Sequence, residues 1–159
     1  FWRGDHFVDR PDSGEVTGDG TVAPFFFEVV PDSLGLRSAL AAAEDAGLAT
    51  PLPLRYAARR DPSAEDPMTR RFVPDYQGTA VWSSLGAMYL KLLQRADPGA
   101  ARPVAEAYRR AVERDGTVTE VWDGQQSGLV PYRGTFSIFI ADEAMLWGAI
   151  LAEAFASDD

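Results

Sequence analysis

The sequence has no cysteine and a single histidine, and both shortages exclude chemistry. Without cysteine the chain forms no disulfide, uses no thiolate nucleophile and offers no cysteine-based metal site. Because His6 is the one histidine, an acid–base pair of histidines cannot form within these 159 residues. No run of the sequence approaches the roughly 18 apolar residues of a membrane-spanning helix. We therefore expect no membrane partner.

The charge balance is strongly acidic, with a formal net charge of −9 and a sequence pI of about 4.6. The cations are nearly all arginine, since Lys91 is the only lysine among 15 basic residues. A chain this acidic repels a phosphate backbone and an anionic lipid surface. Nucleic-acid binding is accordingly not expected.

The length suits one domain, and a composition of 46% hydrophobic and 25% charged residues is able to bury a core. The chain begins Phe-Trp-Arg, with neither Met nor the layout of a signal peptide. We expect Phe1 to be an internal residue of a longer protein in the cytoplasm. Residues 1–159 then form a single domain or segment that carries half of a site.

The first 20 residues are rich in Gly and Asp and predict a long, structured loop. His6 lies there among Asp5, Asp9 and Asp12, a donor set that suits a metal ion. The spacing does not follow the calcium loop of an EF-hand, however. A loop held by Asx-turns is favoured over a structural metal, and no metal or cofactor is expected.

Apolar residues at helical spacing predict four helices. They run from a cap at Asp32 or Ser33 to Gly47, over Thr79–Ala96, over Ala101–Arg114 and over Phe136–Phe155. The last of these is apolar nearly all round, so we expect it to be buried on several sides.

Two further segments are less regular. Thr21–Val30 is either a short helix with Pro24 at its first position or a buried strand. Leu48–Pro74 contains five prolines and predicts a long loop across one end of the fold.

The segment from Gly116 to Gly124 predicts a strand, with Gln125–Gly134 returning as the other arm of a loose hairpin. Alternation places Glu120 on one face with Val118 and Trp122. The other face takes Thr117, Thr119 and Val121. Desolvation raises the pKa of a carboxyl group between apolar neighbours, so Glu120 is a candidate for acid–base chemistry. A glutamate facing solvent on an edge hairpin is the alternative.

Three segments resemble parts of the six-hairpin glycosidases. Asp75-Tyr76-Gln77-Gly78-Thr79-Ala80-Val81-Trp82 is similar to the YxG…W segment that opens a barrel helix and lines the sugar pocket. Thr119-Glu120-Val121-Trp122-Asp123-Gly124 resembles the segment with the catalytic base in glucoamylase- and debranching-enzyme-like members. Asp142-Glu143-Ala144-Met145-Leu146-Trp147 resembles the last barrel helix. Their order matches over about the last 90 residues.

The resemblance implies an all-α fold, in which helical hairpins of an (α/α)6 toroid form a partial barrel with long loops and a small β-hairpin. The chain is then the C-terminal part of a larger (α/α)6 catalytic domain. The apolar flanks of Phe136–Phe155 would be exposed in such a partial barrel, and we expect the missing N-terminal part or a second copy to cover them.

The activity that the resemblance implies is hydrolysis of α-glucosidic bonds, with inversion, in glucose oligomers or in glucans like glycogen and starch. Inversion requires two carboxyl groups about 6.5–9.5 Å apart. Glu120 is the base, and the general acid is expected upstream of this chain. Asp5, Asp9 and Asp19 are local candidates for the acid, although nothing in their spacing recommends one.

The resemblance also implies sugar-binding residues, each with a structural alternative. Tyr76, Trp82 and Trp122 offer aromatic faces to glucose rings, although Trp82, like Trp147, also suits core packing. Gln77 and Asp123 suit hydrogen bonds to sugar hydroxyls, or else the backbone turns beside them. Arg133 is placed to pair with Glu120 and lower its pKa.

Two alternatives to hydrolysis remain open at this point. The same aromatic residues would serve a non-catalytic helical module that binds a carbohydrate or a protein. A helical toroid with other sugar chemistry, such as a lyase or an epimerase, is the third interpretation.

Overall fold

The computed structural model describes residues 1–8, 10–63, 65–124, 130–135 and 145–156. Within these ranges the chain forms six α-helices and one two-stranded antiparallel sheet, so the fold is mainly helical as predicted. The helices are α1 (Gly18–Phe26), α2 (Leu36–Asp45), α3 (Pro67–Phe72), α4 (Ser83–Ala96), α5 (Pro98–Asp115) and α6 (Met145–Ala156). The strands are β1 (Val81–Trp82) and β2 (Val121–Trp122).

Helix α1 settles the alternatives for Thr21–Val30 in favour of a helix, but Pro24 lies inside it and not at its first position. The helix starts earlier because Thr17 caps it, accepting a hydrogen bond from the N–H of Gly20 at 3.3 Å. Gly18 lies so close to the backbone of Arg55 that no Cβ would fit there.

Helix α2 confirms the predicted helix, whereas the predicted cap is wrong. Asp32 and Ser33 belong to a single 3-10 turn, Asp32–Leu34, and Gly35 occupies the N-cap position of α2 with φ 155°. The carboxylate of Asp32 instead accepts from the guanidinium of Arg95 in α4, with Nε to Oδ2 at 3.1 Å. The side chain of Asp32, which the sequence predicted to cap α2, therefore forms an ion pair with α4.

The long loop Leu48–Pro74 is confirmed, except that it contains the short helix α3. Asp66 starts this helix by accepting hydrogen bonds from the N–H groups of Met68 and Thr69. Leu52 and Leu54, in the same loop, are buried in the main core. The loop thus contributes to the core as well as crossing the end of the fold.

Helix α4 starts at Ser83 and not at Thr79, because the two residues before it form β1. Val81 pairs with Trp122 and Trp82 with Val121 in the antiparallel ladder. Helix α5 is confirmed and starts at Pro98, where Asp97 caps it by accepting from the N–H of Ala100 at 3.1 Å.

The predicted hairpin is present over the described residues. The N–H of Asp123 donates to the carbonyl of Val130 at 2.9 Å, and the N–H of Tyr132 donates to the carbonyl of Val121 at 2.9 Å. Residues 125–129 of the returning arm lie outside the described ranges. The described part of the returning arm lies on one side of β2, and β1 pairs with β2 on the other side.

Helix α4 lies at the centre of the packing and contacts α1, α2, α5 and α6. Helices α1 and α2 also contact each other, as do α5 and α6. Of the predicted helix Phe136–Phe155, the part before Met145 lies outside the described residues. In α6, Leu151 and Ala154 are buried while Leu146 is 66% exposed, so the expected burial is met on one face only.

Candidate functional site

A small buried cluster beside the β1–β2 pair positions the candidate site. Its buried members are Ala80, Val121 and Tyr132, and it is separate from the main core. Three partly buried side chains, Val73, Tyr76 and Trp82, pack around it. The sheet brings the segment 73–82 against the segment 119–124, so the two segments of the resemblance meet here.

Glu120 contacts Tyr76 at this junction. The Tyr76 hydroxyl donates to Oε2 of Glu120 at 3.3 Å, although 44 residues separate the two in sequence. The N–H of Ser83 donates to the backbone carbonyl of Glu120 at 2.9 Å, which holds Glu120 at the start of α4. The side chain of Glu120 is half-buried, between the apolar surroundings of the first interpretation and the solvent exposure of the alternative.

The protonation of Tyr76 follows from its surroundings. Burial, and then the adjacent carboxylate of Glu120, raise the pKa of the Tyr76 phenol well above its ordinary value. Tyr76 is therefore neutral at physiological pH and keeps the proton that it donates to Glu120.

The rings around Tyr76 are held by hydrogen bonds as well as by packing. Its ring centroid lies 4.6 Å from that of Trp82 and 5.5 Å from that of Tyr132, in both cases edge to face. The indole N–H of Trp82 donates to the carbonyl of Tyr76 at 2.9 Å. The Tyr132 hydroxyl donates to the carbonyl of Pro74 at 2.6 Å. These bonds fix the side of the site that faces Glu120.

Trp122 lies in the main core and presents no exposed surface. Its indole N–H donates to the carboxylate of Asp115 at 2.9 Å, and its ring meets that of Tyr108 with centroids 6.0 Å apart. The predicted sharing of one strand face with Glu120 is wrong, because Glu120 lies at a bend before the short β2. An indole in this position offers no free face to a sugar, which favours core packing for Trp122.

Asp123 lines a cavity of about 230 Å³, here named cavity A. Its other lining residues are Arg60, Pro74, Asp75, Ala80, Gly124, Tyr132 and Arg133. Two members of the small cluster thus form part of its wall. Arg133 is exposed at the rim of cavity A. The predicted ion pair between Arg133 and Glu120 is not found among the described residues.

Gln77 lines a different cavity of about 220 Å³, here named cavity B. It is lined by Arg10, Glu15, Thr17, Tyr56, Ala57, Arg59, Asp61, Glu65, Gln77 and Gly78. The structure therefore brings Tyr76, Trp82 and Glu120 together but assigns Asp123 and Gln77 to separate cavities. Trp147 is half-buried against the main core, in keeping with the packing alternative.

Arg60 and Glu65 are the residues of this region that sequence reasoning missed. The guanidinium of Arg60 donates to both carboxylate oxygens of Glu65, at 2.6 and 3.1 Å. This bond with Arg60 lowers the pKa of the Glu65 carboxyl below its ordinary value. The mixture of basic and acidic residues in the proline-rich loop was the available signal, but it does not show which charges meet.

The loop around His6 shows a different arrangement from either prediction. Nδ1 of His6 lies 2.7 Å from the carboxylate of Asp5, while Asp9 is outside the described residues. The guanidinium of Arg3 donates to the carbonyls of Pro11 and Ser13, and the N–H of Glu15 donates to the hydroxyl of Ser13. Among the described residues, no group of three potential ligands is placed to hold a metal ion.

No protein-family model, no curated protein and no solved structure matches the chain. Over the described part of the chain, every helix is too short or too polar to cross a bilayer.

The Asp115 carboxylate, which accepts from Trp122 and Arg114, should make the stability of the fold depend on pH. Its bidentate bond with Arg114, and then its bond from Trp122, hold its pKa below the ordinary 3.8. A carboxyl with a lowered folded-state pKa stabilises fully above its ordinary value and loses this contribution as pH falls through the folded value. Asp115→Asn should therefore lower the melting temperature at neutral pH, and the deficit should shrink below pH 3.8.

Thermal unfolding of the wild type and of Asp115→Asn across an acid pH series measures this effect. Glu113→Gln, at an exposed position of the same helix, is the matched control and should follow the wild type. A deficit of constant size from neutral pH to below 3.8 would show that the ion pair is not its source.

Proposed function

We propose that this chain is part of a glycoside hydrolase that cleaves α-glucosidic bonds in glucose oligomers, with inversion and with Glu120 as the general base. The contact between Tyr76 and Glu120 at 3.3 Å carries the proposal. This contact joins segments 75–82 and 119–124, which each resemble a different part of the six-hairpin glycosidases. Hydrolysis requires a carboxylate that activates water and side chains that contact the sugar. Glu120 supplies the carboxylate, and the aromatic side chains beside it supply the sugar contacts.

The proposed chemistry assigns one role to each oxygen of Glu120. Oε2 accepts from the neutral phenol of Tyr76, which fixes the orientation of the carboxylate. Oε1 takes a proton from water as the water oxygen bonds to the anomeric carbon of the sugar. The glycosidic bond breaks at the same centre, and its oxygen receives a proton from a second carboxyl group, the general acid, which lies outside the Tyr76–Glu120 pair.

The order of the helices supports the (α/α)6 part of the proposal. The pairs α1–α2 and α4–α5 lie side by side because α4 contacts both α1 and α2, and α6 packs against both α4 and α5. Consecutive helices packed as pairs, here α1 with α2 and α4 with α5, are the unit from which an (α/α)6 toroid is built. The loops before α1 and α4 contribute to cavity B, and those before α4 and α6 contribute to cavity A.

The proposed sugar contacts follow from the positions of the side chains. Tyr76 bonds Glu120, and Trp82 packs against Tyr76. Asp123 contacts sugar from the wall of cavity A, and Gln77 does so from cavity B. Trp122 is left out of this set because it is buried.

Glu120→Gln tests the proposal, because glutamine keeps the shape and the bond from Tyr76 but cannot take a proton. We expect glucose release from malto-oligosaccharides by the full-length protein to fall by at least about a hundredfold. Glu113→Gln, a solvent-exposed glutamate on α5, is the control and should retain full activity. Unchanged turnover in Glu120→Gln, with an unchanged melting temperature, would refute the role of Glu120.

One observation favours the alternative of a non-catalytic carbohydrate-binding module. Cavities A and B, which carry the charged side chains, do not have Glu120 among their lining residues. Calorimetry with malto-oligosaccharides, combined with chromatography of the same samples, separates the two functions. Heat of binding without released glucose would favour the binding module, and released glucose would favour the hydrolase.

A further inference from the structure

Cavities A and B meet at the ion pair of Arg60 and Glu65. Arg60 lines cavity A, and Glu65 lines cavity B. The pair is bidentate, and the Glu65 side chain is only 6% exposed. A bidentate pair of this kind fixes two planar groups in one orientation. The pair therefore forms a rigid boundary with one cavity on each side.

A single loop also runs along both cavities. Asp75 lines cavity A, whereas Gln77 and Gly78 line cavity B. The carbonyl of Gly78 accepts from the N–H of Ala57 at 2.8 Å, which ties this loop to the segment that carries Arg60. The carboxylate of Asp75 accepts from the N–H of Thr79 at 3.0 Å and so holds the turn between the cavities. The stretch that carries Arg60 and the loop 74–80 thus each contribute residues to the walls of both cavities.

The charges that line the cavities identify the kind of ligand. Cavity A is lined by the cations Arg60 and Arg133 and by the carboxylates Asp75 and Asp123. Cavity B also combines both signs, with two arginines and three carboxylates. Because neither sign dominates strongly, a neutral ligand with many hydroxyl groups suits them better than an anion does. Such a ligand can donate to the carboxylates and accept from the guanidinium groups.

The volumes limit how much of the ligand each cavity holds. At about 230 and 220 Å³, both are smaller than the roughly 300–1,000 Å³ of pockets for drug-sized molecules. Each cavity then accommodates about one sugar ring, so a ligand of two or more rings must extend over the ion pair.

We propose that cavities A and B are consecutive subsites for one sugar chain, separated by the Arg60–Glu65 pair, and that Gln77 selects for longer chains. This inference rests on the proposed function, because it takes the ligand to be a glucose oligomer. Cavity A shares Ala80 and Tyr132 with the cluster beneath Glu120, so it receives the first ring. Cavity B receives the next ring, where the exposed Gln77 amide bonds its hydroxyls.

Binding of a chain-length series tests the inference. Calorimetry with glucose, maltose and maltotriose, in the Glu120→Gln background that prevents turnover, should show affinity rising with length. Gln77→Ala should leave glucose binding unchanged and weaken maltose and maltotriose binding by about threefold to tenfold, the value of one hydrogen bond. Asp123→Asn should weaken all three sugars. Glu106→Gln, at a partly exposed position of α5 away from both cavities, is the control and should weaken the binding of none of the three sugars.

The outcomes separate this inference from the proposed function. If affinity does not depend on length, or Gln77→Ala weakens glucose and maltotriose equally, the two-subsite arrangement is wrong. The hydrolase would still stand in that case if Glu120→Gln abolishes turnover. If the full-length protein neither binds nor cleaves these sugars, the proposed function fails, and the inference fails with it. Because Gln77 is exposed, its replacement leaves the fold intact.

Discussion

Trp122→Ala should lower the free energy of unfolding by about 3–5 kcal/mol, the range for truncating a buried large aromatic residue. Trp122 is the largest of the fully buried side chains, and its ring packs against that of Tyr108. Its removal leaves a cavity and also removes the donor from the carboxylate of Asp115. Both losses act in the same direction, since an unfilled cavity and an unpaired polar atom each destabilise the folded state.

Two further variants make the measurement specific. Trp122→Phe keeps most of the ring volume but loses the bond to Asp115, so it should destabilise clearly less than Trp122→Ala. Leu146→Ala removes a large side chain that is 66% exposed and should change stability by under about 0.5 kcal/mol. Urea denaturation with a common slope gives all three values. If Trp122→Ala costs little stability but abolishes binding of malto-oligosaccharides, the indole is a sugar platform after all.

The helices were the most predictable part of the fold because their signals are local. The apolar spacing of α4 and α5, the proline at the start of α5 and its cap Asp97 all lie within the helix or next to it. The start of α4 was missed for the opposite reason. Val81 and Trp82 fit a helical pattern, but they pair with β2 about 40 residues away, and this distant pairing overrides their local preference.

The candidate site was predictable only in part. Tyr76 and Glu120 were both identified from the resemblance, but their contact depends on the β1–β2 pairing, which no local pattern shows. Trp122 is buried in the main core, a position that alternation along a continuous strand did not predict. The regular strand covers only Val121–Trp122, and Glu120 lies at a bend before it, outside the strand.

The presence of two separate cavities was also unpredictable, because it depends on contacts between segments that are distant in sequence. Gln77 and Asp123 were both assigned to sugar on the basis of their segments, without a way to decide whether they share one cavity. The boundary between them is the Arg60–Glu65 pair, which forms inside a loop of irregular backbone. The composition of that loop shows that charges are present, but which of them pair depends on how the loop crosses the end of the fold.

Gly86→Ala should lower the free energy of unfolding by about 3 kcal/mol, near the upper end of the usual cost of overpacking a core. A Cβ at this position of α4 would overlap the hydroxyl of Tyr108 and lie 2.6 Å from the carbonyl oxygen of Pro53. Tyr108 is fully buried and donates to that same carbonyl, so neither group can withdraw without losing the bond. Alanine gains only about 1 kcal/mol over glycine in helix propensity, so the steric cost exceeds the gain.

Two comparisons isolate the steric cost by thermal or urea unfolding. Gly99→Ala, in the exposed first turn of α5, brings a Cβ to 3.3 Å from Oδ1 of the capping Asp97 and meets no backbone atom, so it should cost far less stability than Gly86→Ala. In the double variant Gly86→Ala with Tyr108→Phe, the hydroxyl that the new methyl group strikes is absent. The double variant should therefore be more stable than the sum of the two single changes predicts. Strict additivity, or a Gly86→Ala protein more stable than the wild type, would show that α4 and α5 do not meet as closely as Gly86 and Tyr108 indicate.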